Sequence, residues 1–349
     1  MPPWGQILDE INEASRHVES PFDAVRRLYL NDLYQLTGRN TILYSTAWTQ
    51  AGGGPGISLN DRDVHGFMEV LHGLEGDELD LILHSPGGSA ESTEQIVNYI
   101  RSKFDGFRIF VPQAAMSAAT LMCCAADEVY MGRHSSLGPI DPQFMVPSTY
   151  GVKTTAAQAI IDQFSMAQGQ IKSNTDLLAW QPLLQQYSPG LLAECTEAME
   201  LSRDLAGRWG ENHMHADKDD DTAEQLAENM ADFLSNRRYF KSHNRRIDIQ
   251  QISNQGFDVV PLEKNQDLQD AILSVFHAAM HTHAGKPMTK IIENHQARAV
   301  IRKTEGAVSS GETRAPPSEN NGGAEDENGQ DNGGDGEGDR SPEDGENNE

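Results

Sequence analysis

The chain has 349 residues, which is enough to bury a sizeable core in one large domain or two ordinary ones. Its formal net charge is −26, and because only part of the excess of acidic residues falls within residues 304–349, the rest of the chain is acidic too. An acidic body without a stripe of Lys and Arg repels phosphate backbones, which argues against nucleic acid as a partner. The three cysteines, Cys123, Cys124 and Cys195, do not suggest a disulfide framework and favour a reducing compartment.

Residues 1–36 are predicted to form an amino-terminal helical arm, because apolar residues recur at roughly helical spacing from Ile7 to Leu33. The first twenty residues lack a basic start followed by an apolar run, and no stretch of the chain is long enough to span a bilayer. We therefore expect a cytoplasmic protein without a membrane span.

Residues 37–153 alternate short apolar strands with helices. Strands are predicted at Thr41–Thr46, Leu79–His84, Phe107–Val111 and Glu128–Met131, and helices after Asn60 and over Ala90–Lys103 and Ser117–Ala126. This alternation predicts an α/β core with largely parallel strand pairing.

Strand patterns become rare after this core, and residues 154–303 are predicted to be mainly helical. Helices are predicted over Ala156–Lys172, Pro182–Met199, Ala223–Asn236 and Leu268–His281, with one late strand at Phe257–Val260. Residues 304–349 are rich in Gly, Asn, Asp and Glu and have too few apolar residues to offset the entropy of ordering. We expect this acidic tail to be disordered.

A glycine turn, Ser85–Ser89, closes one predicted strand and opens the next helix. Gly87 and Gly88 have no side chains, so their backbone can approach a ligand closely and direct N–H groups at a developing negative charge. The alternative is a tight turn without a catalytic role, which is the more common meaning of a Pro-Gly-Gly tripeptide alone.

Ser117 lies among small residues at the next strand-to-helix junction, in the stretch Ala114–Thr120. Small neighbours leave its hydroxyl accessible, and the start of a helix stabilises nearby negative charge. The alternative is a helix N-cap, the commonest role of a serine at such a place. The glycine turn precedes Ser117 by one strand–helix unit, so parallel pairing would bring both to the same edge of the sheet.

The stretch Leu79–Phe144 resembles the ClpP and SppA class of serine peptidases. The resemblance is carried by the glycine turn, the serine block and the run from Ala126 to Gln143. Together with Lys241–His243 and Phe257–Leu262, it is most similar to the serine dehydrogenase proteinase branch of that class. The resemblance implies a ClpP/crotonase-like spiral of ββα units, with residues 37–153 as the catalytic core and residues 154–303 completing the fold.

The resemblance also implies an activity, namely hydrolysis of peptides or unfolded proteins by a homo-oligomer that needs no metal or other cofactor. Ser117 would attack the peptide carbonyl and form an acyl-enzyme. By position, the oxyanion donors would be the backbone N–H groups of Gly88, Gly87 and Ala118.

The general base is less well defined. In the ClpP branch a histidine follows the serine closely, but the matching stretch here contains none, which favours a lysine as in relatives with Ser–Lys dyads. Lys153, just ahead of an apolar helix, is the first candidate, and Lys172 and His134 are the alternatives. Such a lysine must be desolvated, because its unperturbed pKa of about 10.4 would keep it charged near pH 7.

Two other functions fit the same residues. A crotonase-type acyl-CoA enzyme would use two backbone donors at the same place without a serine nucleophile. A catalytically silent scaffold or regulator would fit the undefined base and the acidic tail. The histidines at His213–His215 and His277–His283 lack the remaining ligands of a metal site, so no metal is expected.

Overall fold

The computed structural model describes residues 4–50, 56–148 and 151–303. The chain separates into one unit, Met1–Glu305, and a second, Gly306–Glu349. The expected acidic tail, residues 304–349, lies outside the described residues. Its disorder and the domain boundaries after residues 36, 153 and 303 remain predictions.

Eleven strands lie in the described residues. They are β1 (Asn40–Thr46), β2 (Glu78–His84), β3 (Gly106–Val111), β4 (Ala114–Ala115), β5 (Glu128–Met131), β6 (Ser136–Leu137), β7 (Gln143–Ser148), β8 (Gly151–Ala156), β9 (Val259–Pro261), β10 (Met288–Asn294) and β11 (Ala299–Lys303).

Twelve α-helices lie in the same ranges. They are α1 (Trp4–Ala14), α2 (Pro21–Thr37), α3 (Asp61–Leu71), α4 (Ala90–Arg101), α5 (Ala118–Cys124), α6 (Ala157–Gln170), α7 (Asn174–Leu184), α8 (Leu191–Trp209), α9 (Asp220–Ser235), α10 (Arg237–Phe240), α11 (Ile249–Ser253) and α12 (Gln266–Gly285). None of these helices combines the length and the apolar character needed to cross a membrane.

The central sheet has seven strands in the order β11-β10-β1-β2-β3-β5-β9. The five strands from β1 to β9 in this order are parallel, whereas β10 is antiparallel to β1 and β11 is antiparallel to β10. The predicted α/β class with largely parallel pairing is therefore confirmed.

Successive residues of the central strands enter two different cores, because side chains alternate across a strand. On β1, Ile42 joins the large core that includes residues of α3, α4 and α5, and Leu43 joins the core formed with α2 and α12. On β2, Leu81 joins the large core and Ile82 joins the core formed with α2 and α12. Burial of both faces explains why these strands are continuous apolar runs.

Two successive units follow a similar path, in which a strand leads through a short extended segment to a helix. After β3 the chain forms β4 and then α5, and after β2 Ser85 forms a parallel bridge with Ala115 of β4 before α4 begins. The short strands β4 and β6 pair in a separate two-stranded sheet. These are the ββα units that the resemblance implied, and they place the ends of β2 and β4 side by side.

The structure differs from the sequence predictions in several places, which include the unpredicted strands β4, β6, β7 and β8. The helix predicted over Pro182–Met199 is two helices, α7 and α8, because the chain turns at Gly190, which has φ 85. The hairpin of β10 and β11 was not predicted, since Lys290, Glu293 and Asn294 are polar although they are fully buried.

Candidate active site

Ser117 joins β4 to α5 with a backbone conformation that is rare for a residue with a side chain. Its φ is 53 and its ψ is −122, and α5 begins at the next residue, Ala118. Met116 and Ala118 are buried, whereas Ser117 is partly exposed. Residues held at such angles are concentrated at active sites.

The Ser117 hydroxyl does not cap the helix that follows it. It accepts no capping hydrogen bond from α5, and it has no hydrogen-bond partner among the described residues. By contrast, Ser89 at the start of α4 accepts a bond from the Ser92 N–H at 3.0 Å. The capping role is therefore not found at Ser117, and its hydroxyl remains available to a substrate.

The glycine turn packs directly against Ser117. A Cβ atom on Gly87 would lie 2.3 Å from the Met116 carbonyl oxygen, 2.7 Å from the Ala118 nitrogen and 2.8 Å from the Ser117 Cβ. The φ of Gly87 is also positive, at 87. Both the close approach and the conformation require glycine, and the structure brings the two sequence motifs into contact.

The backbone of Gly88 is oriented by hydrogen bonds on either side of it. The Leu59 N–H donates to the Gly87 carbonyl at 2.8 Å, and the Ser89 N–H donates to the Leu59 carbonyl at 3.0 Å. In this parallel pairing the Gly88 N–H points away from Leu59. It has no partner among the described residues.

Ala118 supplies a second unpaired N–H beside Ser117. As the first residue of α5 it lies where helical N–H groups have no intrahelical acceptor, and no other acceptor occurs in the described ranges. The Gly87 N–H, in contrast, donates to Ser85 Oγ at 3.1 Å. Of the three predicted donors, Gly88 and Ala118 are therefore the two that are available.

Ser117 opens into a cavity of about 630 Å³, which is large enough for a short peptide segment. Gly87, Gly88 and Ala118 line it next to the serine. Apolar side chains make up much of the remaining wall, and they are Leu121, Ile140, Phe144, Met145 and Leu201. His243 and Asn244 are among the polar residues of the lining.

His243 is held by a buried carboxylate. Its Nδ1 lies 2.8 Å from Asp141 Oδ1, and Asp141 also accepts a bond from Gln143 Nε2 at 2.9 Å. Because a carboxylate only accepts, the neutral form of His243 carries its proton on Nδ1 and has a free lone pair on Nε2. Nε2 has no partner in the described part of the chain, so His243 is in the tautomer that can accept a proton.

The structure does not bring Lys153 to Ser117. Lys153 is exposed on β8 and lines a separate groove with Val146 and Gln163, whereas its neighbour Thr154 lines the Ser117 cavity. This division follows from the alternation of side chains along a strand. An exposed lysine stays hydrated and lacks the desolvation that a neutral lysine base requires.

Neither of the two alternative bases lines the Ser117 cavity. Lys172 is exposed ahead of α7, and His134 is exposed ahead of β6. The sequence pattern does not single out His243 as a base, because Asp141 is 102 residues away from it. The available signal was its place in the Lys241–His243 segment of the family resemblance.

The thiols near Ser117 are not alternative nucleophiles. Cys123 and Cys124 are fully buried in α5, and burial raises the pKa of both thiols, which keeps them protonated. Among the described residues, no group of three or more His, Cys, Asp or Glu side chains could hold a metal ion.

Three solved structures match the chain over much of its length. Two are of the 1510-N membrane-bound stomatin-specific protease, at TM-scores of 0.36 with 11% and 14% identity; one of them holds a substrate peptide. They cover 60% and 58% of this chain and 79% and 70% of theirs. A variant of ClpP1 from Listeria monocytogenes matches at a TM-score of 0.34 and 12% identity, covering 68% of this chain and 99% of its own.

Two uncharacterized proteins of Methanocaldococcus jannaschii match a shorter segment. One is 40% identical over 79 residues and the other 42% identical over 83 residues. These segments are 22% and 24% of this chain and 27% and 29% of the relatives. The match thus spans less than a third of the length of either relative.

Residues 70–167 match the model of the family described as ClpP-like SDH-type serine proteinase. The matched segment includes the glycine turn, Ser117 and Asp141, and it ends before His243. The family resemblance is therefore confirmed over residues 70–167, and it is a resemblance to the ClpP-like SDH-type serine proteinases.

Proposed function

We propose that the protein is a serine peptidase that hydrolyses peptide bonds through an acyl-enzyme on Ser117. The observation that carries the proposal is the junction at Ser117, where a strained serine with a free hydroxyl lies beside two unpaired N–H groups. The match of residues 70–167 to a serine proteinase family supports the reaction class. Peptides or unfolded protein segments are the proposed substrates, and a homo-oligomer is the proposed assembly.

His243 is the proposed general base, and Asp141 orients it. As Ser117 Oγ attacks the peptide carbonyl, His243 Nε2 takes the hydroxyl proton and then delivers it to the leaving amine. Asp141 holds the Nδ1 proton and stabilises the imidazolium that forms. The chain order serine, aspartate, histidine also occurs in other hydrolase triads.

The proposed oxyanion hole consists of the N–H groups of Gly88 and Ala118. Both lie beside Ser117 without a competing acceptor in the described residues, and α5 begins at Ala118, so its helix dipole favours negative charge there. The oxygen of the attacked carbonyl becomes an alkoxide in the tetrahedral intermediate, and the two donors bind it. Water then hydrolyses the acyl-enzyme with His243 again acting as the base.

Ser117→Ala is expected to abolish peptide hydrolysis, with a loss on the order of 10⁶-fold in turnover, because it removes the attacking oxygen. Labelling by a fluorophosphonate should stop in the same variant. Ser253→Ala, at a serine of α11 that does not line the cavity, should retain labelling. Full activity of Ser117→Ala would favour a crotonase-type acyl-CoA enzyme, and a folded wild-type protein without labelling or hydrolysis would favour a scaffold.

Separate substitutions of His243 and Lys153 show which of the two side chains is the general base. His243→Ala is expected to lower kcat by about 10³-fold or more, and Asp141→Asn by a comparable factor, since each removes or misorients the proton acceptor. Lys153→Ala, on the other face of β8, should stay within about twofold of wild type, well short of the loss from removing a general base. An inactive Lys153→Ala beside an active His243→Ala would restore the Ser–Lys dyad.

A further inference from the structure

A buried ion pair lies beneath the segment that holds the glycine turn. Lys290 on β10 and Asp63 on α3 are both fully buried, and Lys290 Nζ lies 2.5 Å from Asp63 Oδ2. The Tyr44 hydroxyl also donates to Asp63 Oδ2, at 2.9 Å. Removing two charges from water costs about as much as their pairing returns, so stability alone does not account for this pair.

The ion pair fixes the residues on both sides of Leu59. Lys290 Nζ donates to the Ser58 carbonyl at 2.9 Å. On the other side, the Asn60 N–H donates to Asp63 Oδ2 at 3.1 Å. A shift of Leu59 relative to β10 or α3 would therefore break one of these bonds.

Leu59 in turn fixes the direction of the Gly88 N–H. Its own N–H and carbonyl bond to Gly87 and Ser89, the two neighbours of Gly88. A Cβ atom on Gly88 would lie only 2.1 Å from the Leu59 carbonyl oxygen, so the two backbones are in direct contact. Any movement of Leu59 is thus passed to the proposed oxyanion donor.

We infer that Lys290 and Asp63 are positioning residues for the oxyanion hole. They hold Ser58–Asn60 in place, and this segment aims the Gly88 N–H at the oxygen of the carbonyl that Ser117 attacks. The inference rests on the proposed function, because it assigns a support to one of its two donors. It also gives a role to a charged pair that lies outside the cavity lining.

The test is the double variant Asp63→Asn with Lys290→Met, which removes both charges of the buried pair together. Arg302, whose Nε lies 3.7 Å from Asp63 Oδ1, is partly exposed and keeps its hydrogen bond to the Arg62 carbonyl. We expect kcat to fall by about 10- to 100-fold, because a displaced donor stabilises the transition state poorly. KM should stay within about twofold, since the ground-state carbonyl depends little on these donors. A peptide aldehyde, which mimics the tetrahedral intermediate, should bind more weakly by the same factor as kcat falls.

A second buried ion pair on the same strand is the matched control. Arg26 and Glu293 are also fully buried, with Arg26 Nε 2.6 Å from Glu293 Oε2, but they do not contact Ser58–Asn60. The double variant Arg26→Met with Glu293→Gln should lower stability and leave kcat unchanged. An equal loss of kcat in both double variants would mean a general structural effect and would overturn the inference.

Hydrogen exchange separates failure of this inference from failure of the proposed function. In the Asp63→Asn, Lys290→Met variant, the amides of Leu59 and Ser89, which donate the two hydrogen bonds between Leu59 and the glycine turn, should exchange at least about tenfold faster. The amides of β3 should not change. If the wild-type protein hydrolyses no peptide, the proposed function fails. Hydrogen exchange then still decides whether Lys290 and Asp63 hold the glycine turn in place. If the double variant does not fold, the single variant Lys290→Met takes its place, because Asp63 then still has Arg302 Nε 3.7 Å from its Oδ1. Wild-type kcat and wild-type exchange in that variant would refute the positioning role.

Discussion

The backbone of Ser117 is held by its neighbours at angles that a side chain disfavours. The Met116 N–H donates to the Ser85 carbonyl at 3.0 Å, and Thr120 Oγ1 donates to the Ala115 carbonyl at 2.8 Å. These bonds tie both sides of Ser117 to surrounding elements. A non-glycine residue in such a region costs roughly 1–3 kcal/mol, which the folded structure must supply elsewhere.

The backbone strain at Ser117 can be measured as a difference in stability between variants, without an activity assay. Both Ser117→Gly and Ser117→Ala remove the hydroxyl, but only glycine adopts the native angles freely. Ser117→Gly is therefore expected to be more stable than Ser117→Ala by about 1 kcal/mol in urea denaturation, after the greater chain entropy of glycine is subtracted. At Ser102, which has φ −72, the order should reverse, with alanine the more stable. The same order at both positions would argue against strain at Ser117.

Helices and strands whose buried residues form a regular apolar pattern along the chain could be predicted from the sequence. β5 was predicted at Glu128–Met131 and lies at those residues, and β2 and α4 differ from their predictions by one or two residues at an end. β10 was not predictable in this way. Its buried polar residues are satisfied by groups far away in the chain, such as Asp63 for Lys290, 227 positions earlier.

The candidate site likewise has features that local sequence predicts and features that depend on residues far apart in the chain. The glycine turn and Ser117 are local motifs, so their meeting at one edge could be deduced from strand order. The contact of Asp141 with His243 could not, because α6 to α10 lie between them in the chain. Lys153 was chosen because it lies just ahead of an apolar helix. What it can reach is decided instead by the face of β8 on which its side chain lies.

Buried histidines connect the stability of the whole folded unit to pH. Burial lowers the pKa of His84 to about 3, with a smaller contribution from His283, and burial lowers the pKa of His283 to about 4. Their ordinary pKa is 6.5. Between these values the unfolded chain binds protons that the folded protein does not, so stability falls as the pH drops below about 6.5.

Acidification from pH 7 to pH 5 is expected to reduce the free energy of unfolding by about 2 kcal/mol through His84 alone. The measurement is urea denaturation at both pH values. His84→Gln should be less stable than wild type at pH 7 but should lose less on acidification. His65→Gln, at an exposed histidine of α3, should keep the wild-type difference. Equal differences in all three proteins would show that His84 does not titrate in this way.

The order of the proposed machinery along the chain has a consequence for synthesis. Ser117 and Asp141 leave the ribosome before His243, and Lys290 follows later still, on a strand that must pair with β1 near the other end of the folded unit. A nascent chain therefore carries its nucleophile without a base and its glycine turn without a support. Under the proposed mechanism, peptidase activity would arise only when most of the chain has emerged and folded, which would protect the growing polypeptide from its own active site.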